Sequence, residues 1–364
     1  MTGRDRTGRP TVRRRTFLAA ASGAASFGLA GCSGLLETRS TRSPPLVEDR
    51  PDAVYVPSHI EGMHVAGMAS AGPYRVALSY SYPHRFWLVT GTDVERVDVE
   101  SDDTVHLMAT VWDRETGVVI PTSSVTLEVA RDGETAYDRP PWPMLSQNMG
   151  VHLGDNAALP GDGEYTATVG VDPLAARATG AFEGRFDESA TADIEFEFSQ
   201  ATLAEVPYRM LDERKGERDA VDPMTMDMVP SGQLPPAAEL PGRLLGEATS
   251  GDGRFVATAL AAPPAGVEGA GAYLAVSART PYNRYPLPFV GLSARVDRGG
   301  ETVFDGPLTG TLDPGLGYHY GAAVESIESG DVLTLEFGAP PQVARHEGYE
   351  TAFLDLPSAS IEVP

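Results

Sequence analysis

Apolar and polar residues alternate through most of the chain. Residues 74–82 (YRVALSYSY), 104–113 (TVHLMATVWD), 124–133 (SVTLEVARDG), 163–172 (GEYTATVGVD) and 192–199 (ADIEFEFS) change character at nearly every second position. In an extended strand, that period gathers the apolar set on one face. Gly, Pro or Asp turns separate the runs, and no stretch sustains helical spacing. Short strands at such intervals predict an all-β fold of antiparallel, immunoglobulin-like sandwich type.

The pattern occurs twice. VARDGETAYD (129–138) aligns with VDRGGETVFD (296–305). The same offset of 167 positions pairs Gly150 with Gly317, His152 with His319, Gly154 with Gly321, Phe186 with Phe353 and Ile194 with Ile361. Going backwards it pairs Leu107 with Leu274 and Pro121 with Pro288. One constant offset with so many matches predicts two tandem sandwiches from an internal duplication. The expected boundaries are a leader at 1–31, a tether at 32–52, sandwiches at 53–200 and 246–364, and a linker at 201–245.

Charge adds a surface to this picture. The chain has 51 acidic against 28 basic residues, a formal charge of −23. Six of the arginines (Arg4, Arg6, Arg9, Arg13, Arg14, Arg15) stand in the first 31 residues beside one acid, Asp5, so the body is more acidic still. Its only lysine is Lys215. A lysine-poor acidic surface suits molar salt, where carboxylate repulsion is screened over a few Å. It also argues against nucleic-acid binding.

The N-terminus reads as an address. Arg14-Arg15-Thr16-Phe17-Leu18 resembles a twin-arginine export signal, and Leu29-Ala30-Gly31-Cys32 resembles a lipobox. The alanine-rich run between them is too short and small-sided for a good membrane span. The expectation is an exported protein held at the outer face of the cell membrane by lipid on Cys32. Cys32 is the only cysteine, so no disulfide within the chain is available.

Candidate chemistry concentrates in the first copy. Five of the ten methionines and five of the seven histidines lie between residues 59 and 152. Imidazole and thioether donors together suit copper, and iron if carboxylates join. His64 and Met68 lie on a glycine-containing segment. His84 either ligates or closes a strand near Trp87. His106 alternates with Leu107, so one of the two is expected to face solvent. Met224, Met226 and Met228 would share one face of an extended linker, either as apolar plugs or as donors to a soft metal.

Pro143-Met144 is followed by Gly150-Val151-His152-Leu153-Gly154, then Gly163-Glu164-Tyr165, Asp172-Pro173 and Gly180. This order resembles the periplasmic high-affinity iron-transport protein family, immunoglobulin-like proteins that bind copper and iron beside an iron permease. Gly317-Tyr318-His319-Tyr320-Gly321 resembles its motif again in the second copy. The resemblance implies Met144 and His152 as metal ligands, copper and/or iron as the metal, and an iron permease as partner. The family's second histidine, before the last strand, falls at Phe186 in the first copy. The second copy offers His346 there, so His319 and His346 stand as second-copy candidates. The family's early-strand histidine and glutamate have no counterpart in YRVALSYSY.

No phosphate loop, zinc-protease motif or nucleophile elbow occurs, so the chain is expected not to be an enzyme. The leading expectation is a metal-binding lipoprotein in iron acquisition. A duplicated interaction or adhesion module without metal is the competing class, and a binding protein for another solute is a third. The sequence leaves a homodimer open.

Overall fold

Strands form where the alternation predicts them. The computed structural model describes residues 44–364, so Arg14, Arg15, Cys32 and the start of the tether lie outside the described residues. The first half opens with β1 (His59–Glu61), β2 (His64–Ala71), β3 (Tyr74–Ser81), β4 (Phe86–Thr90) and β5 (Asp93–Val97). It continues with β6 (Val105–Asp113), β7 (Val125–Arg131), β8 (Glu134–Arg139), β9 (Trp142–Ser146) and β10 (Gly150–Ala157). Then come β11 (Gly163–Val171), β12 (Arg177–Ala178), β13 (Ala190–Phe198) and β14 (Tyr208–Met210). The second half contributes β15 (Arg243–Ser250), β16 (Gly253–Leu260), β17 (Ala272–Arg279), β18 (Gly291–Arg298) and β19 (Glu301–Pro307). Its last strands are β20 (Thr309–Asp313), β21 (Gly317–Val324), β22 (Val332–Ala339), β23 (Ala344–Arg345) and β24 (Ala359–Glu362).

Each half is a β-sandwich. In the first, the sheet β13-β11-β7-β8 faces the sheet that begins β2-β3-β6-β10-β9. In the second, β19-β18-β22-β24 faces β20-β21-β17-β16-β15. The sheets β13-β11-β7-β8 and β19-β18-β22-β24 keep the expected pattern. In β13, for example, Ala192, Ile194, Phe196 and Phe198 point inward between exposed polar neighbours. Buried apolar side chains from both halves, among them Leu107, Leu127, Val169, Leu274, Val296 and Leu335, form one continuous core. Each such side chain contributes roughly 1.5–3 kcal/mol when removed from water.

The other pair of sheets departs from simple alternation. All nine residues of β6 and all eight of β10 are buried. His106 and Leu107 are therefore both inaccessible, and the expectation that one of them faces solvent is overturned. Residues after β14 account for part of this cover. Val221 and Met224 are bonded to Gln147 and Asn148, at the end of β9, by Val221 N to Gln147 Oε1 (2.9 Å) and Met224 N to Asn148 O (2.6 Å). Met226 and Val229 close a turn with Met228 at φ +68°, so the three methionines do not share one extended face. Met226 packs beside Trp112 and Val229, and Met228 is 73% exposed.

The halves exchange strands. β23 lies parallel to β9, with Ala344 opposite Met144 and Arg345 opposite Leu145. β12 lies parallel to β20, with Arg177 opposite Thr311 and Ala178 opposite Leu312. Each residue of the first pairing corresponds to one of the second at the offset of 167. Each half thus lends a two-residue strand to the other's sheet.

Among the described residues, no helix is long and apolar enough to cross a membrane.

Candidate metal centre

The register of the first large sheet decides which side chains meet. His106 on β6 stands opposite Asn156 on β10, Met108 opposite Gly154, and His152 opposite Met144 on β9. Cross-strand partners share a face. This face therefore carries imidazole and thioether groups, while Leu107, Val151 and Leu153 point into the core.

Two loops complete the cluster. His84 lies between β3 and β4, and His346 immediately follows β23. The His346 amide donates to Leu145 O (3.2 Å), which ties the second half's loop to β9. His84, His106 and His346 bring one ligand nitrogen each within 4.8 Å of one another. Ring centroids are 4.1 Å apart for His84 and His106, and 4.8 Å for His84 and His346. His152 joins from the other side at 5.1 Å from His346.

Hydrogen bonds fix the tautomers. Nδ1 of His84 donates to Tyr82 O (3.0 Å), that of His106 to Asn156 Oδ1 (2.9 Å) and that of His152 to Gly150 O (3.0 Å). Asn156 is itself oriented, since its Nδ2 donates to His84 O (3.0 Å). The three Nε2 atoms are then bare lone pairs. Together with Nε2 of His346 they are buried and have no partner within the protein. A buried polar atom without a partner costs about 1–3 kcal/mol. Four in one place do not suit packing, but they suit a cation bound by neutral imidazoles, three of which have their other nitrogen anchored.

The electrostatics agree. Burial pushes His106 and His346 well below the usual imidazole range, with neighbouring imidazoles adding to the shift. Burial likewise lowers His152 to about 4. Neutral imidazole, the form a metal requires, is thus favoured by the site itself.

A carboxylate faces the cluster. Glu61 Oε1 accepts from His59 Nε2 (3.2 Å), and Oε2 lies 3.5 Å from His84 Nδ1 without a formed hydrogen bond. Burial would raise this carboxyl, but His59 and His84 outweigh burial and hold it low. β1 is fixed by pairing with β14, and His59 stacks on Tyr208 (5.0 Å). His59 and Glu61 thus bring an imidazole and a carboxylate to the cluster from β1, whereas β3 offers neither. The sequence signal was the pair itself, at alternate positions of an extended segment. His59, Glu61, His84, His152 and His346 line a cavity of about 90 Å³, which also includes Met63, Met108, Met149 and Glu347.

Met144 is buried against Phe86 and Ala344. Its Sδ and His106 Nε2 both lie over Gly154. A Cβ built there would meet them at 3.0 and 2.7 Å, so the glycine is what admits both.

The remaining candidates lie elsewhere. His64 packs on Tyr80 (5.0 Å), and Met68 packs with Ala77, Trp112 and Val229. His346, expected to serve the second copy, faces the first. His319 has both nitrogens engaged, Nδ1 with Gly317 O (3.0 Å) and Nε2 with Tyr273 Oη (3.0 Å). The place corresponding to His106 is taken by Tyr273, and that corresponding to His346 by Thr179.

A family model described as a domain of unknown function (DUF7350) matches residues 238–362. No curated protein matches. Among solved structures, FetP of uropathogenic E. coli strain F11 is 19% identical over 38% of this chain and 96% of its own, with a TM-score of 0.30. The copper-reconstituted P19 protein from Campylobacter jejuni is 16% identical over 38% of this chain and 96% of its own, with a TM-score of 0.29. At these scores the likeness bears neither on the site nor on its metal.

Proposed function

We propose that this chain is an exported, membrane-tethered lipoprotein that binds one copper ion per molecule and serves iron acquisition beside a permease. One observation carries the metal assignment: four buried imidazole Nε2 atoms, from His84, His106, His152 and His346, converge without protein partners. These four residues would hold the ion, with Met144 Sδ beside them and Glu61 facing them. An imidazole-rich set next to a thioether favours copper over other divalent first-row metals, and Glu61 supplies the oxygen donor that iron would use. The order of arginine pair, apolar run and lipobox supports export and anchoring. The reciprocal pairing of β9 with β23 and β12 with β20 supports an origin by duplication. Only the first copy kept a metal position, because Tyr273 satisfies His319 in the second.

The test is titration of metal-free protein with Cu(II), followed by calorimetry and electron paramagnetic resonance. The expected result is one ion per chain in a nitrogen-rich environment. His152→Ala and His346→Ala should each weaken binding at least tenfold, about 1.4 kcal/mol, while His319→Ala leaves it unchanged. Folded protein that takes up no copper or iron would defeat the assignment and leave an interaction module.

A further inference from the structure

Three sulfur-bearing side chains line the cavity without belonging to the imidazole set. Met63 sits between β1 and β2, Met108 faces from β6, and Met149 precedes β10. Met108 and Met149 are buried, and the Met149 amide donates to Ser146 Oγ (3.2 Å). Apolar filling is the ordinary role for such residues, and the second half shows how this fold achieves it. The position corresponding to Met108 holds Ala275, that of Met149 holds Leu316, and that of Met144 holds Thr311. There Ala275 and Leu316 close up with Tyr273, Leu240 and Val256 into a plain apolar cluster. The fold therefore does not need sulfur at these places. At these places thioethers stand in the half where the imidazoles converge, and Met63, Met108 and Met149 line the cavity there.

We infer that Met63, Met108 and Met149 form a thioether station for a soft monovalent cation, Cu(I), beside the imidazoles, so that the cavity accepts copper in either oxidation state. A neutral, polarisable thioether suits Cu(I), whereas imidazole and carboxylate suit Cu(II). The inference rests on the imidazole cavity being a metal site.

The test uses full-length chain and the probes Ag(I) and anaerobic Cu(I), each titrated against a competing chelator, with methionine ε-methyl NMR as a direct readout. The Ag(I) titration should shift the methyl signals of Met63, Met108 and Met149. Met63→Leu/Met108→Leu/Met149→Leu should lower soft-ion affinity at least tenfold and change Cu(II) affinity less than twofold. Met149→Leu alone should lower it several-fold, and it brings in the side chain that the second half already carries, which guards against misfolding. Wild-type soft-ion affinity in the folded triple variant, or signal shifts confined to exposed Met228, would overturn the station while leaving the Cu(II) result standing. Loss of Cu(II) binding in wild-type protein would instead count against the imidazole site.

Discussion

Gly154 shows how much of the site turns on one missing methyl group. Its backbone lies under His106 Nε2 and Met144 Sδ, and His106 cannot retreat easily because Asn156 holds its other nitrogen. Gly154→Ala should cost about 1–3 kcal/mol, the usual range for overpacking. It should also weaken Cu(II) binding at least tenfold; thermal unfolding and metal titration of the same preparation separate the two effects. His319 offers the complementary case. Burial lowers it from 6.5 to about 4. Its folded value lies below its unfolded one, so the unfolded chain takes the proton first as pH falls. The stability tied to neutral His319 is complete above pH 6.5 and is lost as pH drops through about 4. At 1.36 kcal/mol per unit, that loss approaches ~3 kcal/mol. In urea unfolding of metal-free protein, His319→Gln should flatten the pH dependence between 6.5 and 4 by up to that amount.

At the scale of elements, the loop after β23 is held from outside its own sandwich. Residues just before β1 are bonded along it. Tyr55 Oη donates to Glu350 Oε1 (2.5 Å), Ser58 N donates to Glu347 Oε1 (3.0 Å) and Thr351 Oγ1 donates to Pro51 O (2.9 Å). Inside the loop, buried Arg345 donates to the carbonyl oxygens of Pro341, Tyr349 and Ala352. The segment leading into His59 and Glu61 thus also seats His346. Tyr55→Phe leaves Glu350 with one donor fewer and should cost about 1–3 kcal/mol. Hydrogen exchange at the Gly348 and Tyr349 amides should accelerate, and copper affinity should fall several-fold. Unchanged exchange would show the loop to be seated by the bonds of Ser58, Thr351 and Arg345 without the Tyr55 hydroxyl. Little of this was legible beforehand. A two-residue strand such as β23 has no periodicity, and its partner lies about 200 positions away in sequence. The alternation of β6 was legible, but its meaning was not. Period 2 says that two faces differ, and burial of both depends on what later residues lay over them.

Across the whole molecule, the parts read most reliably were those with local causes. The strands of the solvent-facing sheets follow from alternation, and the correspondence of the halves follows from a constant offset. His152 and Met144 were singled out by motif, and His84 and His106 by composition. The site's remaining members needed the fold. His346 was assigned to the wrong half because sequence order suggests that a residue serves its own sandwich, whereas exchange of β12 and β23 delivers it to the other. His59 and Glu61 were overlooked as a pair because their strand is completed only by β14, which lies beyond the first sandwich.

The exchange has a further consequence. A ligand set split between two separate molecules would be assembled only as far as those molecules associate, so metal affinity would decline on dilution. Here the fourth imidazole is carried on the same polypeptide and held by β-pairing, which gives it an effective concentration fixed by the chain rather than by the amount of protein present. A molecule spread thinly can therefore keep the four imidazoles together without meeting a second copy of itself.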